Sequence, residues 1–254
     1  MSMVKIFLVL CFFLLIWAFA IEPNLIVVRH FQINSLDDKK IVFASDFHIA
    51  KYDKKRLEKI VDTINKQNPD LVLFGGDFIK GHDGKNTMPI EEQVKIFKQI
   101  KAPIVSIVGN HDGWYNKEKV IRILKNNDIN VLVNENIKID NIFIAGVDDV
   151  QTGYPDVKQA LKGCVGKTIL LTHNPDVYFD VDKKVDLILA GHVHGGQIRF
   201  PFIGALIAPS NYGTKFADKY VFKETQNTMI VSKGLGTSIL SLRFYCLPDI
   251  IVIN

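Results

Sequence analysis

Apolar residues along the chain are grouped in two ways. Short β-branched and aromatic runs predict strands at 25–33, 41–45, 71–74, 104–108, 131–133, 142–145, 168–171, 187–190, 219–223, 228–232 and 250–253. Apolar residues spaced three or four apart predict helices at 54–67, 90–100 and 117–127. Strands alternate with helices in the first half of the chain and are denser in the second. The pattern predicts an α/β fold in which two packed sheets form a β-sandwich flanked by helices.

The N-terminal segment has a different pattern from the rest of the chain. Positions 6–21 are sixteen consecutive residues without a charge or a proline. With the apolar residues just before them, they reach the length of about 17–25 residues that a membrane-spanning helix needs. Trp17 suits the membrane–water interface, and Pro23 marks the end of the helix. The pattern predicts one N-terminal transmembrane helix that anchors the protein through residues 1–22.

A cleavable secretory signal is the alternative for this segment. Lys5 precedes the apolar run, and the Ala-Phe-Ala sequence at 18–20 resembles a cleavage site, so that cleavage would release a secreted protein. We favour the uncleaved anchor. Behind it, residues 23–254 contain no internal repeat, low-complexity segment or Gly/Ser linker, and we expect them to form one domain.

Composition and charge restrict the class of protein. Of the 254 residues, 48% are apolar and 23% charged, which excludes a disordered chain, a collagen-like repeat and a multi-span membrane protein. A net charge of +4, spread along the chain, argues against nucleic acid as the main partner. The cysteines Cys11, Cys164 and Cys246 are far apart, which disfavours a disulfide scaffold or a thiolate zinc site.

Five predicted strands lead directly into Asp, Asn or His. The sequences are D-F-H after 41–45, G-G-D after 71–74, G-N-H-D after 104–108, T-H after 168–171 and G-H-V-H-G-G after 187–190. In open α/β sheets, ligands bind at the carboxyl ends of the strands. Carboxylate, amide and imidazole groups without thiolate suit Mn²⁺, Fe or Zn²⁺. Two such ions share a carboxylate ligand, generate a hydroxide nucleophile and neutralise phosphoryl charge.

A single histidine after a strand is usually only a hydrogen-bonded polar residue. Each of these motifs, taken alone, is therefore weak evidence for a metal site. The ordered set D-x-H, G-D, G-N-H-D, H and G-H-x-H resembles the calcineurin-like metallophosphoesterase superfamily from residue 41 to the C-terminus. Three further segments resemble the YkuE/YaeI-like subfamily of membrane-anchored bacterial phosphodiesterases: G-V-D-D at 146–149, and the segments 191–202 and 232–244. The resemblance implies the metallophosphoesterase fold and a hydrolase acting on phosphoric ester or pyrophosphate bonds.

The resemblance also implies roles for individual residues. It implies two divalent metal ions per chain, Mn²⁺ ahead of Fe or Zn²⁺, with these ligands: Asp46, His48, Asp77, Asn110, His173, His192 and His194. Asp77 would be shared by both ions, and a hydroxide bridging them would be the nucleophile. His111 is expected to protonate the leaving alkoxide, and Asp112 to orient His111 or fix its loop. Many relatives carry a second acidic residue shortly after the shared Asp, and residues 78–80 contain none. Lys80 could contact a phosphate of the substrate there, or it could be a solvated loop residue.

Four residues outside the metal set are candidates for substrate contact. We expect Trp114 and Tyr115 to stack on a base or line an acyl groove, with core packing as the alternative for Trp114. We expect Arg199 and Tyr212 to contact phosphate oxygens.

The combined prediction is a two-metal phosphodiesterase or pyrophosphatase at a membrane surface, in a bacterial inner membrane. Its substrate would be a phosphoester, with a lipid-linked one such as UDP-2,3-diacylglucosamine of lipid A synthesis as the leading expectation. The alternatives are a broad-specificity phosphodiesterase or phosphomonoesterase of the cell envelope and a non-catalytic scaffold. Because the ligand set is complete, the scaffold is disfavoured. The membrane side of the catalytic domain and the oligomeric state stay open.

Overall fold

The structure is a computed structural model that describes residues 2–36 and 39–254. The strands are β1 Val27–Phe31, β2 Ile41–Ala44, β3 Leu71–Phe74, β4 Ile104–Ser106, β5 Asn130–Val131, β6 Glu135–Ile139, β7 Ile142–Gly146, β8 Thr168–Leu171, β9 Leu187–Ala190, β10 Arg199–Phe200, β11 Gly204–Ala205, β12 Val221–Phe222, β13 Met229–Val231 and β14 Asp249–Ile253. The helices are α1 Met3–Ile16, α2 Lys54–Lys66, α3 Ile90–Phe97, α4 Asn110–Lys125, α5 Val157–Ala160 and α6 Lys215–Asp218.

Two six-stranded sheets form the body of the fold. The first has the order β1-β14-β2-β3-β4-β5, in which β2 to β5 are parallel and β14 is antiparallel to β2. The second has the order β12-β13-β9-β8-β7-β6, in which β13, β9, β8 and β7 are parallel and both edge strands are antiparallel. Strands β10 and β11 form a separate two-stranded hairpin. The predicted α/β sandwich is confirmed.

Burial explains why the central strands are apolar at every position except Thr168. All residues of β2, β3, β8 and β9 are buried, because each sheet is covered on both faces. Between the sheets, Phe43 and Leu73 of one pack with Ile169 and Leu189 of the other. Outside the first sheet, α2 buries one face of its helix through Leu57, Ile60, Val61 and Ile64. This layering brings the carboxyl ends of β2, β3, β4, β8 and β9 to one edge of the sandwich.

Helix α4 differs most from its prediction over 117–127. It begins at Asn110, so the G-N-H-D motif lies in its first turn, and a break at Asn116 (φ −178°, ψ 90°) separates the two halves. The first half has no apolar periodicity; it forms because Asp112 accepts the backbone N–H of Gly109 at 3.0 Å. Strand β6 and the β10–β11 hairpin were not predicted, because most of their side chains are half-buried or exposed and give no long apolar run.

Helix α1 continues through short turns to give one helical stretch over Met3–Asn24 that is almost entirely exposed. Its length and composition allow it to cross a membrane, and a signal sequence has the same properties. The end of the stretch is packed on the domain. The carbonyl of Ala18 accepts the N–H of Arg243 at 2.9 Å, and the buried Glu22 carboxylate accepts the N–H of Cys246. The predicted boundary between residues 22 and 23 therefore falls inside a packed contact.

Candidate active site

The loops after five strands bring the predicted polar residues together at one edge of the sandwich. Asp46 and His48 follow β2, Asp77 follows β3, His173 follows β8, and His192 and His194 follow β9; Asn110 to Asp112 begin α4. All of these side chains are buried. Asp46, His48, Asp77, His192 and His194 have φ between 41° and 70°, the left-handed region that residues other than glycine rarely adopt. Strained backbone held at a single site by its surroundings is typical of a functional centre.

The first group of ligand atoms comes from Asp46, His48 and His194, whose donor atoms all lie within 4.8 Å of one another. Nε2 of His48 is 3.2 Å from Nε2 of His194, which in turn is 3.6 Å from an oxygen of Asp46. The backbone N–H of His192 donates to both carboxylate oxygens of Asp46, which fixes that carboxylate in the site.

The second group lies beside the first. Oδ1 of Asn110 is 2.9 Å from Nε2 of His173 and 3.1 Å from Nδ1 of His192. The two imidazole nitrogens are 3.3 Å apart. Gln151, on the other side of the His192 ring, approaches its Nε2 at 3.4 Å.

Asp77 lies between the two groups. Its Oδ2 is 3.3 Å from Nε2 of His48 and 3.3 Å from Nε2 of His173. Its Oδ1 accepts the backbone N–H of His111 at the start of α4, at 2.8 Å. Burial alone would raise the pKa of Asp77, but the facing His173 and His48 outweigh it and hold that pKa well below its usual range. One carboxylate oxygen thus faces both groups in its ionised form.

The donor set fits divalent cations. Nδ1 of His48 is 2.8 Å from the carbonyl of Ile79, and Nδ1 of His173 is 2.7 Å from that of Gly75. Carbonyl oxygens only accept, so both Nδ1 atoms donate, and the Nε2 atoms face the groups, where each offers a lone pair to a cation once its proton has been displaced. Crowded imidazole nitrogens and carboxylate oxygens repel one another unless protons or cations lie between them. Each group can therefore hold an ion of the Mn²⁺, Fe or Zn²⁺ type.

His111 lies at the edge of both groups, with its ring between those of His48 and Trp114 at centroid distances of 4.6 and 5.0 Å. Its Nδ1 donates to the carbonyl of Gly81 at 2.9 Å, so Nε2 is the nitrogen left for other partners, with the Ser238 hydroxyl 3.5 Å away. Burial lowers the pKa of His111. A lowered pKa makes the protonated ring a stronger acid.

Asp112 has a different position from His111, although the two are adjacent in sequence. Its carboxylate accepts the backbone N–H groups of Asp77, Phe78, Ile79 and Gly109 at 2.8–3.1 Å. These four bonds tie the loop after β3 to the first turn of α4. Of the two expected roles for Asp112, the geometry favours fixing the loop.

A cavity of about 520 Å³ opens directly onto the two groups. Its lining includes the site residues Asp77, Asn110, His111, His192 and His194. Large apolar side chains line it as well: Trp114, Ile198, Ile207, Ile239 and Leu240. Such a cavity can accept a molecule with a charged end and an apolar body.

The structure brings one of the four expected substrate residues to this cavity, which is Trp114. Tyr115 packs against Gly84 and the helix core, with its hydroxyl 3.1 Å from Nζ of Lys119. Arg199 donates to the carbonyl of Ala217 at 2.6 Å and pairs with Asp218 at 3.3 Å, so its charge is already satisfied.

Tyr212 packs its ring on Phe179 and Phe216, at centroid distances of 4.7 and 5.7 Å. Lys80 donates to the hydroxyls of Ser241 and Thr237 at 3.2 and 3.4 Å, in an adjoining cavity of about 270 Å³. Tyr115, Arg199 and Tyr212 thus have protein partners outside this cavity, and their expected contacts with substrate stay predictions.

Sequence reasoning missed the role of Arg243, which is fully buried. Its guanidinium donates to the carbonyls of Lys233, Gly234 and Gly236 at 2.6–3.0 Å. The loop that it holds lies against the first group, since the N–H of Gly236 donates to the carbonyl of Asp46 at 2.6 Å. A Cβ at Gly234, where φ is +70°, would lie 2.7 Å from Cβ of Asp46. The signal in the sequence was an arginine within 239–248, a stretch whose other residues are apolar apart from Ser241.

Comparison with known proteins agrees with this geometry. A family model described as calcineurin-like phosphoesterase matches residues 39–196. The uncharacterized metallophosphoesterase YkuE of Bacillus subtilis (strain 168) is 33% identical over 251 residues, covering 91% of this chain and 86% of its own. The phosphodiesterase YaeI of Escherichia coli (strain K12) is 30% identical over 226 residues, covering 85% and 81%. Among solved structures, TT1561 of Thermus thermophilus has a TM-score of 0.51 at 13% identity, over 78% of this chain and 90% of that one, which is a likeness of fold.

The family match covers the loops that carry the two groups of ligand atoms, and the relatives extend the similarity over most of the chain. Proteins of this family use a dinuclear metal centre to hydrolyse phosphoesters, and the paired groups around Asp77 supply the ligands that such a centre needs. The chain is a phosphoester hydrolase and belongs to the calcineurin-like phosphoesterase family.

Proposed function

We propose that this protein hydrolyses lipid-linked phosphoesters at a membrane surface. The observation that carries the proposal is the cavity that joins the two groups of ligand atoms to an apolar wall. A phosphate would lie at the polar end, and the acyl or prenyl part of the same molecule would lie along Trp114, Ile207, Ile239 and Leu240.

The proposed first ion is held by Asp46, His48, Asp77 and His194, and the second by Asp77, Asn110, His173 and His192. Mn²⁺ is the proposed metal because the donors are mixed oxygen and nitrogen, without thiolate. When bound, the ion pair supplies activation of water and neutralisation of phosphoryl charge.

The protein's own side chains complete the reaction. His111 presents Nε2 toward the cavity while its Nδ1 is held by the Gly81 carbonyl, so the ring is oriented to give a proton to the leaving oxygen. Its lowered pKa favours release of that proton. Hydrogen bonds to Asp112 hold the loop that carries Asp77 against the first turn of α4.

The N-terminal helix supports the membrane part of the proposal. Its exposed apolar surface ends where Ala18 and Glu22 contact the segment around Arg243 and Cys246, at the same edge of the fold as the site. We propose residues 1–22 as the anchor in a bacterial inner membrane and residues 23–254 as the catalytic domain. A phosphate on a membrane lipid would then reach the site while its tail stays in the bilayer.

The test is hydrolysis by the purified full chain with added Mn²⁺, on four substrates. These are UDP-2,3-diacylglucosamine and a polyprenyl phosphodiester in vesicles, and bis-p-nitrophenyl phosphate and p-nitrophenyl phosphate in solution. We expect a higher kcat/KM for at least one lipid-linked substrate than for either soluble one. Equal values on all four would instead indicate a broad-specificity envelope phosphodiesterase. A metal-loaded chain that hydrolyses none of them would favour the non-catalytic scaffold.

A further inference from the structure

Six large apolar side chains stand exposed on two segments that border the cavity: Phe202, Ile203, Leu206, Ile207, Ile239 and Leu240. We call them the apolar rim. The first four belong to the β10–β11 hairpin and the residues after it, and the last two to the loop before Arg243. Exposed apolar side chains grouped on neighbouring segments are typical of an interaction surface.

The two segments of the rim are fixed to each other. The side chain of Gln197 donates to the carbonyl of Leu240 at 2.8 Å and accepts the N–H of Ser238 at 2.9 Å. Ile207, Ile239 and Leu240 also line the cavity, so the rim continues the apolar wall outward. The surface is therefore one built feature, held by hydrogen bonds at its base.

The tips of both segments carry large side chains in an unfavourable backbone conformation. Phe202 and Ile239 are fully exposed, with φ of 67° and 23°. Left-handed backbone disfavours bulky and β-branched residues, and full exposure means that neither side chain stabilises the domain by packing. Glycine or asparagine would suit both positions better if water were the only neighbour.

The position of the rim identifies its partner. The loop that carries Ile239 and Leu240, which we call the rim loop, leads into Arg243. The backbone N–H of Arg243 donates to the carbonyl of Ala18 in the last turns of the N-terminal helix. Phe19 of that helix and Ser241 of the rim loop line one small cavity. The end of the apolar helix and the loop that carries Ile239 and Leu240 thus lie at the same part of the domain, so that a bilayer around the helix would lie close to the rim.

We infer that the apolar rim inserts into the lipid bilayer as a second membrane contact, holding the mouth of the cavity against the membrane surface. With the helix alone, the domain would be free to tilt about its tether. With the rim inserted, the cavity opens toward the boundary between the lipid headgroups and the acyl chains. Apolar side chains are stabilised when they are buried at this boundary. The inference rests on the proposed anchor, but it does not depend on the proposed reaction.

The test is photo-crosslinking of the full chain in phosphatidylethanolamine–phosphatidylglycerol vesicles, with p-benzoylphenylalanine replacing one residue at a time. Phe202 and Ile239 are the rim positions. Val165 is the matched control, because it is exposed and lies just before β8, at the edge of the sheet opposite the site. Phe12, in α1, reports on the anchor itself. We expect lipid adducts at both rim positions and only background at Val165.

A second comparison uses Phe202→Asp, which left-handed backbone tolerates, against Val165→Asp. We expect Phe202→Asp to lower the yield of lipid adduct at the Ile239 probe about tenfold. This is the loss expected when one large apolar side chain no longer enters the bilayer. Background adducts at both rim positions, with lipid adducts at Phe12, would overturn the inference and leave the anchor standing. Adducts to protein instead of lipid would overturn it too and indicate a protein partner. Lipid adducts at the rim without any at Phe12 would contradict the anchor and would overturn the inference too, because the rim would then not be a second contact beside the helix.

Discussion

The carboxylate of Asp112 accepts the backbone N–H of Asp77 at 2.8 Å, which links the first turn of α4 to the residue shared by the two proposed ions. Three more backbone N–H groups converge on the same carboxylate. Because all four partners are donors, only an acceptor with two oxygens fits there. Asp112 thus holds in place the residue that we propose as the shared ligand.

Asp112→Asn should destabilise this loop, because the amide nitrogen that replaces one carboxylate oxygen is a donor and cannot accept from the two backbone N–H groups that face it. Leaving buried donors without acceptors costs about 2–4 kcal/mol. We expect a lower Tm in the metal-free protein and weaker metal binding. Asp83→Asn is the control, since Asp83 is an exposed acid in the same loop region. An Asp112→Asn protein with unchanged Tm and metal affinity would contradict the loop-fixing role.

His111→Ala should retain both metal ions but slow turnover. General acid catalysis contributes about 10²–10⁴-fold, so the loss of kcat should lie in this range for a diester with an alkyl leaving group. It should shrink for a nitrophenyl ester, because nitrophenolate leaves without a proton. Equal losses for both leaving groups would contradict the role of His111 as the acid. Metal content, measured in parallel, separates this role from that of a ligand.

Metal loading should weaken as the pH falls. Burial opposes charge on His48 and His173, but the facing Asp77 outweighs it and raises both pKa values above the usual histidine value. A cation must displace these protons, so the apparent Kd should rise by up to about tenfold per pH unit for each proton displaced. The effect should already be present above about pH 6.5, because the pKa values are raised. Calorimetry in buffers of different ionisation enthalpy measures the released protons, and a Kd independent of pH would contradict the assignment.

Deleting residues 2–16 should show which substrates require the anchor. The deletion leaves Trp17, Ala18 and Glu22, which contact each other or the domain, in place. We expect unchanged hydrolysis of bis-p-nitrophenyl phosphate and a large loss on a lipid-linked phosphoester in vesicles, because the local concentration is lost. Unchanged vesicle activity, or a mature N-terminus at Ile21 in the native host, would contradict the anchor.

The strand-end chemistry could be predicted because it depends on local sequence. Apolar runs define β2, β3, β4, β8 and β9, and parallel strands deliver the residues that follow them to a common edge. The expectation that Asp77 is shared is consistent with its place between the two groups, and it stays a prediction until a metal is observed.

The substrate contacts could not be predicted in the same way, because they depend on partners distant in sequence. Arg199 has the chemistry of a phosphate ligand, but the carbonyl of Ala217 and the carboxylate of Asp218 satisfy it. Arg243 has the chemistry of a surface residue, but tertiary packing buries it among carbonyls. Residue type and spacing do not record which of several possible partners a long side chain meets.

The most direct measurement is the number of metal ions per chain, by elemental analysis, in the wild type and in Asp77→Ala, with Asp62→Ala as an exposed control. Asp77→Ala would leave two cations facing each other without a shared anion, so metal content and phosphodiester hydrolysis should fall together. We predict two ions per chain and full activity for the wild type and for Asp62→Ala, and background activity with fewer ions for Asp77→Ala. An Asp77→Ala protein that still binds two ions per chain would contradict the shared-ligand assignment on which the proposed function rests.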